Sequence, residues 1–331
     1  MLSTIELKID DSRWENYNLW KYIKLALPHY TKLLIIKELR LKKILVNNQI
    51  SYFQYKLQLG DIVSIIPVPE KNKSSSKFPK TKLNCSISIS DQIVFENSEI
   101  VIVNKKAGQI VQPSSKLNCY SLEELLQQYL KSNSKLDVQI EYSAKFVHRI
   151  DHPVSGLLIG AKTANSHHLL SDSLKNREIK KIYRAIVFGF FNHEFLRLRN
   201  WIVDKHSKVK VLKDPNNESK LAISEIKKLK GNSKYSYLEI NLITGRKNQI
   251  RAQLAELGYP ILGDRKYYSE KFKSNINKGG VKGLPFNSKK IALCSYQLVF
   301  PEHLKKPLNL PKQNFCLPEE SNDLLNFAKK I

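Results

Sequence analysis

The most distinctive segment of this chain reads His148-Arg149-Ile150-Asp151-His152-Pro153-Val154-Ser155-Gly156-Leu157-Leu158. Arg149 and Asp151 stand two residues apart, just before an apolar run that predicts a strand. Pro153 and Gly156 predict an irregular turn between the charged pair and that strand. A carboxylate at the end of an apolar strand is a suitable place for a partly desolvated catalytic group. From these residues alone, a surface loop with an Arg and an Asp is the commoner interpretation.

Segments on both sides of this motif predict a mixture of strands and helices. Short apolar or alternating runs predict strands, and apolar residues spaced three and four apart predict helices. The predicted strands cover residues 100–103, 182–188 and 237–243, and the predicted helices begin at Leu122 and cover 164–176 and 248–257. Because strands and helices do not alternate regularly, the pattern favours an α+β fold over a doubly wound sheet.

The N-terminal part predicts a separate compact unit. Helices are expected around residues 19–27 and over 32–41, and Asn47-Asn48 marks a turn between two short strands. Residues 68–84 are rich in Lys, Ser and Pro, which predicts a basic tether that also touches RNA nonspecifically. The predicted organisation is a small α/β module at 1–67, a basic linker at 68–92 and a larger domain at 93–331.

The charge of the chain favours a polyanionic partner. It has 55 Lys and Arg against 30 Asp and Glu, a net charge of +25. Such an excess attracts nucleic acid and repels itself when no polyanion is bound. Lys, Asn and Ile are all abundant, so A+T-rich coding DNA is a second contribution. We expect RNA or DNA as the partner.

The cysteines and apolar runs exclude several other classes. Cys85, Cys119, Cys294 and Cys316 are far apart, which disfavours a zinc site or dithiol redox chemistry and predicts no metal. The first residues show no signal peptide, and no apolar run is long enough to cross a bilayer, so no membrane partner is expected. We expect a cytoplasmic protein, with a hydrophobic content of 42% that supports a sizeable core.

The distinctive segment resembles the H-R-L-D motif, followed by T-S-G-L, of the RluA-type pseudouridine synthases. Three further segments resemble that family in the same order: Ile102-Val103-Asn104-Lys105-Lys106-Ala107-Gly108, Lys181-Ile182-Tyr183-Arg184-Ala185-Ile186-Val187-Phe188-Gly189, and Thr244-Gly245-Arg246-Lys247-Asn248-Gln249-Ile250-Arg251 continued by residues 257–264. The likeness spans roughly residues 95–303. It implies a mixed, largely antiparallel sheet with flanking helices, and the isomerisation of uridine to pseudouridine in structured RNA.

The resemblance also implies roles for individual residues. Asp151 would initiate the reaction, either by attacking the anomeric carbon or by abstracting a sugar proton. Arg251 would pair with Asp151 and keep it ionised. Tyr183 would stack on the base and transfer a proton. Arg149 would enter the space left by the flipped nucleotide, and Ile250 would line the pocket.

Phosphate contacts are expected from four basic residues, Lys105, Lys181, Arg246 and Lys247. The reaction involves neither water nor a redox change, so the resemblance implies no cofactor. One carboxylate suits an isomerisation, whereas a glycoside hydrolase requires two.

The N-terminal unit resembles a second family, the "S four" RNA-binding domain. The resemblance rests on Val46-Asn47-Asn48-Gln49 and Gly60-Asp61, whereas Tyr30-Thr31-Lys32 replaces the usual Ser-Arg pair. The alternative is a packed module without an RNA role. Such a module before this catalytic domain favours large-subunit ribosomal RNA over transfer RNA. A monomer is expected.

Several residues depart from the family pattern. Val154 replaces Thr, Lys106 replaces Pro, and Asn248 and Gln253 replace His. These changes motivate an alternative, an RNA-binding protein with a decayed catalytic domain. A ribosome-assembly factor that binds RNA through residues 1–84 is a third possibility. The presence of Asp151 together with its Tyr and Arg partners favours the enzyme.

Overall fold

The computed structural model describes residues 4–27, 30–66, 89–114, 119–133, 143–205, 208–269, 272, 290–318, 323–329 and 331. Within these residues, no helix is long and apolar enough to cross a membrane.

The N-terminal residues fold into a small unit with a four-stranded antiparallel sheet of order β1-β4-β2-β3. Its elements are β1 (Ile5–Lys8), α1 (Leu19–Ala26), α2 (Lys32–Arg40), β2 (Ile44–Val46), β3 (Gln49–Ile50) and β4 (Ile62–Ile65). Leu19 and Ile23 of α1 and Ile35 of α2 are fully buried against the sheet. The predicted helices and hairpin are confirmed, and β1 is an addition that the sequence did not predict.

A buried carboxylate holds the turns of this unit together. Asp61 accepts hydrogen bonds from Asn47 Nδ2 at 2.8 Å, Tyr55 Oη at 3.1 Å and the Gln58 amide at 2.8 Å. Asn47 and Asn48 both have positive φ, at 51° and 61°, a conformation that Asn tolerates better than most residues. The residues behind the "S four" resemblance therefore have a structural function in the described module.

The larger unit is built on one long sheet. Its strands are β5 (Ile93–Glu96), β6 (Ile100–Lys105), β7 (Lys145–Phe146), β8 (Ser155–Ala161), β9 (Lys180–Phe188), β10 (Phe195–Lys205), β11 (Lys208–Leu212), β12 (Lys220–Gly231), β13 (Tyr235–Leu242), β14 (Leu293–Val299) and β15 (Asn314–Cys316). The main order is β11-β10-β12-β13-β9-β14-β8-β6-β5, with β15 beside β14 and β7 beside β8. Among the pairs of described strands only β8 and β14 run parallel. The predicted mixed, largely antiparallel sheet is confirmed.

Helices flank this sheet. They are α3 (Leu122–Asn133), α4 (Ala164–Lys175), α5 (Gln249–Glu256), α6 (Glu302–Lys305) and α7 (Asp323–Ala328). A capping box begins α3: the Glu124 amide donates to Ser121 Oγ at 3.2 Å, and the Ser121 amide donates to Glu124 Oε2 at 2.8 Å. The helices predicted at 164–176 and 248–257 are confirmed, each with slightly shorter bounds.

The two units contact each other through aromatic rings. Trp14 stacks on His168 of α4 with ring centroids 5.5 Å apart, and the edge of Tyr17 meets the same His at 5.1 Å. Residues 67–88, which include most of the predicted linker, lie outside the described residues. Residues 89–92 pack on the larger sheet, with Ile89 and Gln92 buried.

Candidate active site

The loop between β7 and β8 carries Asp151 to the end of a buried strand. The Val154 amide donates to the Asp151 carbonyl at 3.0 Å and closes a turn. The Gly108 amide donates to the His152 carbonyl at 2.8 Å and joins this loop to the turn after β6. The Asp151 side chain is 22% exposed, so its carboxylate faces an accessible cavity from a fixed backbone.

Lys105 supports this loop from below. Its side chain is fully buried, and Nζ donates to the carbonyls of Lys106 at 3.0 Å, Gln109 at 2.9 Å and His152 at 3.1 Å. All three ammonium protons therefore have acceptors in the protein. Burial lowers the pKa of Lys105 to about 7, and the charge of Asp151 opposes that shift. The structure corrects the expectation of a phosphate contact, because a buried ammonium cannot reach RNA.

Gly156 allows strand β8 to approach its neighbour β14 closely. A Cβ at this position would lie 2.3 Å from the Ser295 carbonyl oxygen of β14, and its φ is +116°. Only glycine fits such an approach. Ser295 is also the register partner of Tyr183 on β9, so this contact sets the distance between the Asp151 loop and the strand of Tyr183.

Arg251 of α5 forms the expected ion pair with Asp151, with Nη1 3.2 Å from Oδ2. The same guanidinium makes a two-point contact with Asp264, Nε at 2.7 Å and Nη2 at 2.8 Å. Burial alone would lower the pKa of Arg251. Hydrogen bonds and charge from Asp264, joined by Asp151, more than offset this effect and raise it. Arg251 is therefore a fixed cation that orients the carboxylate of Asp151.

Asn248, where the family has His, belongs to this network. It adopts a left-handed conformation with φ 51° just before α5. Its Oδ1 accepts from Arg251 Nη1 at 3.0 Å, and its Nδ2 donates to Tyr267 Oη at 2.9 Å. Gln253 is also buried and hydrogen-bonded, since its Oε1 accepts from Ser224 Oγ at 2.8 Å. The side-chain amides of Asn248 and Gln253 are therefore hydrogen-bonded within the protein.

Tyr183 stands on β9 facing the same cavity, with 5% of its surface exposed. Burial raises the pKa of Tyr183 well above its ordinary value, and a hydrogen bond with Ser295 opposes this only in part. The phenol is therefore neutral, with a ring that forms one wall of the cavity.

These side chains surround a cavity of about 420 Å³. The predicted site residues that line it are Arg149, Asp151, Tyr183, Arg246, Lys247, Ile250 and Arg251, and Val154 also lines it. The size lies in the range of about 300–1,000 Å³ that is usual for small-ligand sites. The described residues contain no cluster of three or more His, Cys, Asp or Glu side chains that could hold a metal.

The basic residues around the cavity differ in their surroundings. Arg149 is exposed at the rim, and Lys247 is paired with Asp204 at 2.8 Å. Arg246 Nε donates to the Leu221 carbonyl at 3.0 Å. Lys181 does not line the cavity. It is half-buried beside Gly245, with its Nζ 3.9 Å from where a Cβ of that glycine would lie, and burial lowers the pKa of Lys181.

Two residues of the site were not predicted. Asp264 holds Arg251, and Tyr267 lies under the guanidinium with its ring centroid 5.1 Å from Cζ. Asp264 ends the segment 257–264, whose resemblance to the family was the available signal. His148 accepts a hydrogen bond from the Ile159 amide at 3.2 Å. Burial, with the charge of Lys181, lowers the pKa of His148 to about 3, so this ring is neutral.

Comparisons with known proteins identify the family of the chain. The family model described as RNA pseudouridylate synthase matches residues 99–256. The chain is 31% identical over 301 residues to an uncharacterized RNA pseudouridine synthase of Mycoplasma genitalium, covering 87% of each chain. It is 34% identical over 258 residues to the ribosomal large subunit pseudouridine synthase C of Buchnera aphidicola, covering 74% of this chain and 77% of that one.

A further sequence comparison covers more of the chain, and a structural comparison concerns its fold. The ribosomal large subunit pseudouridine synthase D of Blochmanniella floridana is 28% identical over 330 residues, 95% of each chain. Among solved structures, human RNA pseudouridylate synthase domain containing 4 superposes with a TM-score of 0.55 at 19% identity, covering 70% of this chain and 89% of that one. This similarity concerns the fold.

Proposed function

The chain belongs to the RNA pseudouridylate synthase family, and we propose that it isomerises uridine in large-subunit ribosomal RNA with Asp151 as the catalytic carboxylate. One observation carries this proposal. Asp151 faces a cavity of about 420 Å³, is paired with the buried cation Arg251, and shares this cavity with the buried phenol of Tyr183. The names of the relatives in Buchnera aphidicola and Blochmanniella floridana support the choice of RNA.

The proposed reaction breaks the bond from uracil N1 to the sugar C1′ and forms a bond from uracil C5 to the same carbon. The C5 proton is released and N1 gains a proton, so atoms and electrons balance within the nucleotide. Water would hydrolyse the separated sugar. The largely buried walls of the cavity, including Val154, Tyr183 and Ile250, limit its access to the reacting carbon.

Two routes give Asp151 its role. The carboxylate attacks C1′ and forms an ester, or it removes a proton from the adjacent C2′. Either route needs an ionised carboxylate, which Arg251 favours through its charge. RNA with deuterium at C2′ separates the two routes, because only proton removal from that carbon gives a primary isotope effect on the chemical step.

Tyr183 acts as a neutral phenol in this proposal. Because burial raises its pKa, the phenol cannot serve as a standing base. Its ring packs against the uracil, and its hydroxyl can accept a proton only while it gives up its own. Tyr183 can therefore still stack on the base and transfer a proton, but only as a neutral phenol.

The target base has to leave its stack to enter the cavity, at a cost of about a few kcal/mol. Arg149 at the exposed rim is placed to enter the space that the nucleotide leaves. Phosphate contacts from exposed cations offset the cost and make binding sensitive to salt.

We also propose that the N-terminal module binds RNA, through a surface outside its structural turns. Trp20 and Phe53 are stacked, with ring centroids 5.1 Å apart and an angle of 11° between planes. Lys32 Nζ lies 5.1 Å from the Trp20 ring centroid. Aromatic rings beside cations bind unpaired bases. A cytoplasmic monomer stays a prediction from the sequence.

The test is incubation of purified protein with unmodified transcripts of large-subunit ribosomal RNA and transfer RNA, followed by nucleoside mass analysis and carbodiimide mapping. We expect pseudouridine at a defined position in the ribosomal transcript and none with Asp151→Asn. Asp214→Asn, an exchange at an exposed carboxylate outside the cavity, is the matched control and keeps the activity.

No product from the wild-type protein, despite tight binding that weakens with salt, would favour a decayed domain that only binds RNA. Product from Asp151→Asn at the wild-type rate would remove Asp151 from the mechanism. Product only in transfer RNA would keep the enzyme and change its substrate.

A further inference from the structure

A second cavity of about 540 Å³ adjoins the active-site cavity. It lies between the turn 245–247 and strands β10 to β12, whose residues Ile202, Val209 and Lys220 line it. The two cavities have Gly245, Arg246 and Lys247 in common, so a continuous ligand could occupy both.

The second cavity combines an apolar floor with a basic rim. Ile202 and Val209 are buried in a small core with Ala252 of α5. Four cations, Lys205, Lys220, Arg246 and Lys247, line the cavity with two carboxylates.

Both carboxylates are already paired. Asp204 lies 2.8 Å from Lys247 Nζ, and Glu218 lies 3.6 Å from Lys205 Nζ. Among the described residues, the side chain of Lys220 and the Nη atoms of Arg246 form no hydrogen bond or ion pair. The unneutralised charge of the cavity is therefore positive.

Arg246 occupies the boundary between the cavities in a fixed orientation. Its Nε donates to the Leu221 carbonyl at 3.0 Å, which anchors the guanidinium and leaves its two outer nitrogens to face a ligand. A guanidinium presented in this way suits a two-point contact with a phosphate. In a nucleic acid strand, one phosphate joins each nucleotide to its neighbour.

We propose that the second cavity binds the nucleotide next to the target uridine. Arg246 contacts the phosphate that joins the two nucleotides, Lys220 contacts the next phosphate along the strand, and the neighbouring base packs on Ile202 and Val209. The inference rests on the proposed function, because it places the target uridine in the first cavity.

The first test measures charge contacts by fluorescence anisotropy with a labelled oligouridylate over a range of KCl concentrations. All proteins carry Asp151→Asn, so no turnover is involved. Adding Lys220→Ala should weaken binding and flatten the slope of log K against log salt by about 0.7 to 1, the value for one lost phosphate contact. Lys210→Ala is the matched control, an exposed Lys on β11 that does not line the cavity.

The second test locates the base with the same oligouridylate carrying 4-thiouridine, by photocrosslinking and mass spectrometry. Crosslinks should fall in two groups, one around Tyr183 and Ile250 and one on strands β10 and β11. Equal slopes for the Lys220 and Lys210 variants, or crosslinks that avoid β10 and β11, would overturn the inference. Because neither test requires product, failure of the second cavity and failure of the proposed catalysis give separate results.

Discussion

Asp264 should be important for activity, although it does not line the cavity. It is 2% exposed and makes a two-point contact with Arg251, whose own side chain is 6% exposed. Asp264→Ala would leave a buried guanidinium with one carboxylate partner, the partly exposed Asp151, and the amide oxygen of Asn248. Breaking a buried pair in this way costs about 3–5 kcal/mol. Asp264→Asn keeps one acceptor and should cost about 1.5–3 kcal/mol.

The catalytic effect should differ from a simple loss of stability. Once Asp264 is removed, Arg251 is free to turn and no longer fixes the carboxylate of Asp151. We expect kcat to fall at least about tenfold, or about 1.4 kcal/mol in the barrier. KM for RNA should change little, because Asp264 does not line the cavity. Asp264→Asn should recover part of the rate.

Urea unfolding and single-turnover pseudouridine formation measure these two effects, with Asp214→Asn as the matched exchange at an exposed position. A loss below about 1 kcal/mol for Asp264→Ala would contradict the argument from burial. An unchanged kcat in a folded Asp264→Ala protein would show that Arg251 orients Asp151 without this support.

Three further predictions concern the loop, the strand contact and the N-terminal surface. Burial lowers the pKa of Lys105 to about 7 from 10.5, so between these values the unfolded chain holds a proton that the folded chain has released. The contribution of Lys105 to the free energy of unfolding therefore rises with pH across this window, by at most about a few kcal/mol. Urea unfolding at several pH values should show this rise as a growing difference in the free energy of unfolding between wild type and Lys105→Met. Gly156→Ala should destabilise the protein by about 3 kcal/mol or more, because the added Cβ would lie 2.3 Å from a backbone carbonyl oxygen. Gly108→Ala has open space around the added Cβ and should cost about 1–2 kcal/mol in the same unfolding assay, because its φ is positive. Trp20→Ala should weaken RNA binding by about 1–3 kcal/mol in anisotropy, the value of one stacked base, while Leu33→Ala, at an 80% exposed position nearby, should not.

Each of these predictions has a result that contradicts it. A stability difference between wild type and Lys105→Met that is constant with pH would mean that the buried ammonium keeps its proton. Similar losses for the two glycine variants would remove the close approach of β8 and β14 as the reason for glycine. Equal binding by the Trp20 and Leu33 variants would leave the N-terminal module without this RNA surface.

The local elements of the fold were predictable where apolar residues form a short run, alternate along a strand, or repeat every three and four residues along a helix. Helices α4 and α5 and strands β6, β9 and β13 all follow from such patterns. Strand β14 did not, since its sequence mixes Ser295, Tyr296 and Gln297 with apolar residues, and its neighbours β8 and β9 lie more than 100 residues earlier. Strands β10 to β12 carry many charges on their exposed face, and pairing with each other stabilises them more than their local pattern does.

Contacts of the site were predictable for residues that belong to a recognised motif. The role of a residue was not predictable where it depends on burial in the folded protein. The pairing of Asp151 with Arg251, 100 residues apart, followed from the resemblance and is present. Lys105 was expected to contact a phosphate, and a Lys is rarely buried without partners. Three backbone carbonyls converge on it only once the loops 106–109 and 151–154 meet. No local pattern encodes that meeting.

The alternative of a decayed domain can be judged from the charges that the site keeps. Arg251, Asp264 and Lys105 are all buried, and well-packed apolar residues could replace such charges at little or no cost in stability. A domain that only bound RNA would not contact Asp264 or Lys105, since neither residue lines the cavity. Their common effect is to hold one carboxylate, Asp151, at a cavity of about 420 Å³. Asn248, the departure nearest to this carboxylate, adds a hydrogen bond to the same network. The site therefore has the supports that a catalytic carboxylate requires, and the proposed assay with Asp151→Asn tests whether it uses them.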